Sequence, residues 1–140
     1  MGTTTNKVPV PQTIVSSGVK EFTDANGTVE QTLLTAGANG MIVTMVNVAS
    51  TDTAARKVYF RRVSAKTAWI VNVPIQAGTK SDASAPSVSG LNRTQNPSLP
   101  VDQNANPVLT LGPSETLIAV LDANCSAGLK VWITAIGIDL

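Results

Sequence analysis

The side chains that carry most enzyme chemistry are scarce in this 140-residue chain. Histidine is absent and Cys125 is the single cysteine, which removes the commonest general base, the commonest zinc ligand and any internal disulfide. The nine acids are scattered, and the loop around Asp102 and Asn104 lacks the EF-hand spacing of a calcium site. We therefore expect no catalysis, no cofactor and no metal.

A basic stretch is the strongest charge feature. It places five of the ten Lys and Arg residues within eleven positions, without an acid among them. Three interpretations are open: a solvated edge strand guarded by its charges, docking on an acidic protein surface, and phosphate contacts with stacking aromatics. A net charge of +1 gives nucleic acid or a membrane no global field to follow, which disfavours the third. The stretch contains Arg56, Lys57, Arg61, Arg62 and Lys66, interleaved with Tyr59 and Phe60.

The two tryptophans are the other candidate ligand-binding groups. Trp69 and Trp132 would suit sugar stacking if they were exposed. Each lies among apolar residues of a β-type run, and Trp69 continues an apolar side with Val71, Val73 and Ile75. Core packing is therefore the favoured prediction for both.

Apolar alternation predicts strands and almost no helix. The Asn26-Gly27 pair predicts a tight hairpin turn between the first two strands. Both sides of the run at residues 41–48 are apolar, which implies burial on two sides or an interface on one. The predicted strands are 18–22, 29–34, 40–50, 56–63, 68–76, 108–111, 116–122 and 129–138, with a short one near Val88 and Leu91.

Two segments fall outside this pattern. Residues 1–16 form a predicted arm, in which Pro9 and Pro11 remove backbone donors and favour an extended or polyproline conformation. Residues 77–107 form a predicted long loop that touches a partner or caps one end of the domain. The candidate partner-binding residues are Val8, Pro9, Val10 and Pro11 of the arm, Leu91 and Arg93 of the loop, and Arg56, Lys57, Arg61, Arg62 and Lys66 of the basic stretch.

Length and composition complete the fold prediction. A chain of this length suits one domain, predicted at residues 17–140. The predicted fold is an all-β, two-sheet antiparallel sandwich, jelly-roll or Greek-key-like. Charged residues are 14% of the chain, against about 25% in a typical soluble domain, so contact between subunits is one explanation of the weakly charged surface. Residues 1–7 lack the pattern of a signal peptide.

Several segments follow one another in a recognisable order, namely Gly-Met-Ile-Val-Thr-Met-Val-Asn-Val-Ala-Ser, Arg-Lys-Val-Tyr-Phe, Val-Pro-Ile-Gln-Ala-Gly and Gly-Leu-Lys-Val-Trp-Ile-Thr-Ala-Ile-Gly. This order resembles the small β-sandwich structural proteins of tailed-bacteriophage virions, especially capsid decoration (cement) proteins. The similarity covers residues 37–78 and 107–138 and contains no diagnostic motif, so it assigns no functional residue.

The resemblance implies a non-enzymatic protein on the virion surface, made in the host cytoplasm, which binds the major capsid protein of an assembled head, often as a trimer. Tail, fibre and head–tail components have the same general sequence character, and a carbohydrate-binding module is the other alternative.

Overall fold

The computed structural model describes residues 15–79 and 87–140, which form nine β-strands and no helix. The first strand begins two residues inside the predicted arm. The other predicted strands are present, and their ends coincide with the predicted ones or differ by one or two residues. The strands are β1 (Val15–Phe22), β2 (Gln31–Thr35), β3 (Met41–Ser50), β4 (Arg56–Val63), β5 (Thr67–Ile75), β6 (Val88–Ser89), β7 (Leu109–Leu111), β8 (Thr116–Leu121) and β9 (Val131–Asp139).

The strands form two open antiparallel sheets. Sheet A has the order β1-β9-β3, and both β6 and β7 pair with the other side of β3. Sheet B has the order β2-β8-β4-β5. The predicted all-β, two-sheet antiparallel sandwich is thus confirmed.

The core lies between the sheets and follows the two-residue period of the strands. In β9, Val131, Ile133 and Ala135 are fully buried, and the residues between them point to the other side of sheet A. In β4, Val58 and Phe60 face the core in the same way. The sequence pattern groups these residues on one side of each strand, and the structure shows that this side faces the core.

The turn at Asn26-Gly27 differs from its prediction. β1 pairs with β9 and β2 pairs with β8, so this connection crosses between the sheets, and the predicted hairpin is wrong. Gly27 is required for a close approach, because a Cβ there would lie 2.8 Å from the Cα of Asn124. A backbone hydrogen bond from Cys125 to Thr23 also joins these two connections.

Asp52 joins three of the connections that cross between the sheets at one end of the sandwich, which we call the Asp52 end. Its buried carboxylate accepts hydrogen bonds from Arg56 Nε (2.7 Å), Ala54 N (3.0 Å), Ser126 Oγ (2.8 Å) and Ser126 N (3.1 Å). Its backbone carbonyl accepts one from Gly78 N (2.9 Å). The β3–β4, β5–β6 and β8–β9 connections therefore meet at one residue.

These contacts set the charge state of Asp52. Burial by itself raises the pKa of the carboxyl, but the hydrogen bonds from Ala54, Arg56 and Ser126 outweigh burial and hold the pKa well below its ordinary value. The carboxylate is therefore ionised and satisfied in the folded protein.

We expect Asp52→Asn to lower the free energy of unfolding at pH 7 by about 3 kcal/mol, because it leaves Arg56 half-buried without its counter-charge. Urea denaturation measures the change. Asp24→Asn removes an exposed carboxylate at the same end and is the control, with an expected change within about 0.5 kcal/mol.

The same carboxylate should make stability depend on acid pH. A pKa lower in the folded than in the unfolded chain gives stabilisation that is present above the unfolded value of about 3.9 and is lost as pH falls below it. The unsubstituted chain should therefore lose more stability between pH 5 and pH 2 than Asp52→Asn does. Equal losses in the two proteins would refute this role of Asp52.

Candidate partner-binding surfaces

The basic stretch occupies β4, which lies inside sheet B between β8 and β5. It is therefore not an edge strand, and that interpretation of its charges is wrong. The two-residue period places Arg56 and Arg62 on the core side at opposite ends of the strand. Arg56 pairs with Asp52, and Arg62 Nε lies 3.2 Å from Glu115 Oε2.

The remaining basic side chains of the stretch are separated from these two. Lys57 and Arg61 point to the outer side of sheet B, where Arg61 forms a salt bridge with Glu30. Lys66 is exposed in the turn between β4 and β5. The five charges are thus divided between two sides and one turn, and three of them are paired with acids, so they do not form the continuous basic stripe typical of a nucleic-acid site.

A β-bulge in β5 reverses the side to which Trp69 points. Phe60 of β4 pairs with Val71, and Arg61 pairs with Trp69, which leaves Ile70 as the extra residue. Beyond a bulge the alternation shifts by one position, so Trp69 shares the outer side with Arg61 and is 63% exposed. The predicted core position of Trp69 is wrong.

The outward turn of this tryptophan creates a cavity of about 500 Å³, here called the Trp69 pocket, at the β5 edge of sheet B. The rings of Tyr59 and Trp69 meet edge to face, with centroids 5.6 Å apart and planes at 70°. The guanidinium carbon of Arg61 lies 4.8 Å from the Trp69 ring centroid, which is within cation–π distance. The lining residues are Tyr59, Trp69, Ile70, Val71, Asn72, Gln95 and Asn96.

The three amide side chains of the pocket have different roles. Asn96 Nδ2 donates to the carbonyl oxygen of Ile70 (2.5 Å), and Ser98 N donates to Asn96 Oδ1 (3.0 Å), so both amide atoms of Asn96 are used within the fold. Asn72 and Gln95 are exposed, and neither side chain has a hydrogen-bond partner within residues 15–79 and 87–140. Their amide groups are therefore open to a ligand.

The described part of the long loop closes one side of the sandwich. The loop leaves β6 in sheet A, reaches β5 of sheet B through Asn96, and returns to β7. Leu91 and Leu99 belong to the core, at 5% and 3% exposed. Leu91 therefore does not lie on a partner-binding surface as predicted, because its side chain fills the core beneath the loop. Arg93 is exposed, and its Nη2 donates to the carbonyl oxygen of Pro97 (3.0 Å).

The outer side of sheet A, here called the sheet A face, is apolar over most of its length. Val15, Val19 and Met45 on it are 60%, 61% and 39% exposed. Single exposed apolar residues are ordinary, but a contiguous apolar patch on one sheet is typical of an interaction site. The apolar members are Val15, Val19, Ile42, Met45, Trp132, Ile136 and Ile138, and Ser17, Asn47 and Thr134 lie among them.

Charge on the sheet A face is confined to one end within the described residues. Lys130 Nζ lies 2.6 Å from Glu21 Oε1, and Trp132 Nε1 donates to Glu21 Oε2 (3.3 Å). The hydrogen bond from Lys130 lowers the pKa of Glu21. Trp132 is therefore an outer-face residue with a polar partner, and its predicted core position is also wrong.

The described residues offer little for catalysis or metal binding. No three His, Cys, Asp or Glu side chains among them lie together as metal ligands. Asp102 instead accepts hydrogen bonds from the backbone N–H groups of Asn104 (2.8 Å) and Asn106 (2.9 Å). Cys125 is buried, and desolvation raises the pKa of its thiol, which disfavours a reactive thiolate.

Two further observations concern the remaining sequence predictions. In the part of the chain that the structure describes, no helix is long and apolar enough to cross a bilayer. Val8, Pro9, Val10 and Pro11 lie outside the described residues.

Comparisons with known proteins found similarity at the level of structure. No family model and no curated protein matches the sequence. A chain of the acidic stable capsid structure of Helicobacter pylori bacteriophage KHP30 matches 89% of this chain over 87% of its own length, with 12% identity and a TM-score of 0.45. A chain of the cyanophage Pam1 capsid asymmetric unit matches 91% over 84%, with 14% identity and a TM-score of 0.47.

We expect Asn96→Ala to lower the free energy of unfolding by about 1–2 kcal/mol, because it removes the hydrogen bond to Ile70 and leaves that carbonyl at the β5 edge without its donor. The neighbouring Gln95→Ala changes an exposed amide and should lie within about 0.5 kcal/mol of the unsubstituted chain. Urea denaturation compares the two, and equal effects would contradict the role of Asn96.

Proposed function

We propose that this chain is a non-enzymatic virion structural protein, specifically a decoration (cement) protein that binds an assembled phage head and stabilises it. The observation that carries the proposal is the sheet A face, which is largely apolar and, among the residues that the structure describes, carries charge only at one end. Such a face is unfavourable in water and is typical of a surface that another protein covers. The resemblance of the sequence to decoration proteins points to the same role.

The order of the strands supports the proposal. We infer a jelly roll whose sixth strand is divided into β6 and β7, because both pair with β3 at one edge of sheet A and sheet B has the order β2-β8-β4-β5. Double-sheet jelly rolls are frequent in viral capsid proteins and in lectins. Because one fold serves many functions, the surfaces must decide between these classes.

We assign the sheet A face to contact between copies of this chain, in a trimer or another homo-oligomer. A neutral apolar face has no charge complementarity to offer a strongly acidic or basic partner, whereas a second copy presents a surface of the same chemistry. The edge strand β1 contributes to this face, and its first five residues carry no charge. Uncharged edge strands are the ones prone to associate with another chain.

The exposed basic residues are the proposed contacts with the major capsid protein. Lys57, Arg62, Lys66 and Arg93 lie on the surface and suit an acidic shell. Several weak contacts of this kind become durable when one oligomer makes them all at once. Nucleic acid and membrane are not proposed as partners, and the site of action is the outer surface of the virion.

Experiments can distinguish two alternatives from the proposed decoration protein. A tail, fibre or head–tail component would use the same surfaces on another part of the virion. A carbohydrate-binding module would need an exposed aromatic side chain, and Trp69 meets that requirement. This second alternative concerns only the Trp69 pocket and is tested together with the pocket below.

We expect Val19→Lys to convert the oligomer to monomers, because it puts a charge on the uncharged part of the edge strand β1 in the sheet A face. Val29→Lys is the matched control, since Val29 is 56% exposed in the connection between β1 and β2 and lies outside that face. Size-exclusion chromatography with light scattering measures the mass, and circular dichroism checks that both variants fold. A monomeric unsubstituted chain at high concentration would contradict the assignment.

The head-binding function is tested by cosedimentation with heads purified from the phage that encodes this chain. Saturable binding, together with heads that resist heat better when the chain is bound, is the expected result. Binding to purified tails alone would indicate the tail alternative. No binding to any virion part would end the proposal.

A further inference from the structure

The Trp69 pocket and the proline-containing segment before β1 are two features that the contacts described so far do not use. The pocket has a fixed aromatic wall and two open amide groups. The segment Val8-Pro9-Val10-Pro11 belongs to an uncharged run that extends from Val8 to Val19. An aromatic pocket with open amide groups is a chemically suitable binding site for an uncharged segment that contains proline.

We propose that the Trp69 pocket binds the Val8–Pro11 segment of a second copy of this chain. The inference rests on the self-association part of the proposed function and deepens it by naming both sides of one contact. It is independent of whether the oligomer binds a phage head.

Aromatic grooves recognise proline-containing segments for a physical reason. Proline favours an extended polyproline conformation before binding, so little conformational entropy is lost on docking, and its ring packs flat against an aromatic side chain. Here the rings of Tyr59 and Trp69, which meet edge to face, form the aromatic wall. Because proline has no N–H, the segment presents mainly carbonyl oxygens, and the side-chain amides of Asn72 and Gln95 are the matching donors.

The pocket is preorganised for such a ligand. Tyr59 and Arg61 fix the plane of the indole, and Asn96 holds the loop that forms the other wall against β5. A wall that is rigid before binding costs less to order when a ligand arrives. Arg61 is already paired with Glu30, so the pocket does not demand an acidic ligand.

The length of chain before β1 indicates a neighbouring molecule as the donor. β1 packs over β2 at one side of the sandwich, since Gly18 lies against the carbonyl of Leu33, whereas the pocket lies on β5 at the other side. A path around the outside spans one inter-sheet distance of about 10 Å and three strand spacings of about 4.8 Å. Pro11 is four residues from Val15 and can extend only about 14 Å from it, which is too short for this path. A pocket that holds the whole segment up to Pro11 must therefore take it from a neighbouring molecule.

Binding of the segment of one copy in the pocket of another would also determine how the copies are arranged in the oligomer. A segment of one copy in the pocket of the next is a heterologous contact, and heterologous contacts form rings when the rotation closes. A closed ring with each pocket filled once is consistent with the trimer expected above.

The test uses full-length chains in which fluorescence reports on Trp69 alone. The first chain carries Trp132→Phe with Pro9→Ala and Pro11→Ala, so that it has the pocket and lacks the proline segment. The second carries Trp132→Phe with Trp69→Ala, so that it has the segment and no tryptophan. A chain with Trp132→Phe only is the reference, and Thr3→Ala with Thr5→Ala in that background controls for a double substitution just before the proline segment.

Acrylamide quenching of Trp69 is then measured for each chain and for the mixture. We expect Trp69 to be protected in the reference and in the threonine control, to lose protection in the proline variant, and to regain it when the second chain is added. Protection that is unchanged by the proline substitutions, or a mixture that restores none, would overturn the proposal. Protection by a panel of oligosaccharides that is equal in the reference and the proline variant would also overturn it and would assign the pocket to carbohydrate.

These results are separable from those of the proposed function. A chain that binds heads while Trp69 stays unprotected refutes only the segment exchange. A chain that shows the exchange but ignores every virion part refutes only the virion role.

Discussion

The buried carboxylate of Asp52 is the constraint on which the arrangement of the two sheets depends. The two open sheets of a sandwich share no ladder of backbone hydrogen bonds, so the layers are held mainly by apolar packing and by the connections that cross between them. Asp52 accepts hydrogen bonds from two of these connections and uses its own carbonyl for a third. A buried charge is tolerated only when it is fully satisfied, so this residue requires the three connections to be in place together.

A second local feature, the bulge at Ile70, determines which side chains β5 presents on the outer side of sheet B. The added residue moves Trp69 from the core side of β5 to the outer side, where Tyr59 and Arg61 hold it. The loop that follows β6 then lies against the same edge through Asn96. A pocket that joins an aromatic pair to a polar loop therefore follows from one change of register.

The distribution of charge bears on the proposed role in assembly. Three of the five basic residues in and after β4 are paired with acids, and within the described residues the sheet A face carries charge only at one end. The described surface therefore includes a weakly charged area on the outer side of sheet A. This area is the part of the molecule that the proposed function assigns to contact with a second copy.

Much of the fold could be read from the sequence, because the two-residue period of strands is a local property. The division of β4 and β9 into two alternating sets of residues, the absence of helix in the described residues and the sandwich class all follow from that period. The sequence did not reveal which strands pair, so the turn at Asn26-Gly27 was misassigned and β4 was interpreted as an edge. It also misplaced Trp69, Trp132 and Leu91, since a bulge, the partnering of a sheet face and the closure of a loop over the core depend on residues far apart in the chain. The sequence by itself determined which residues of a strand lie together on one side, because the period of two is local. The tertiary structure decided which side of each sheet faces the core and which side remains exposed, because that choice depends on residues far apart in the chain.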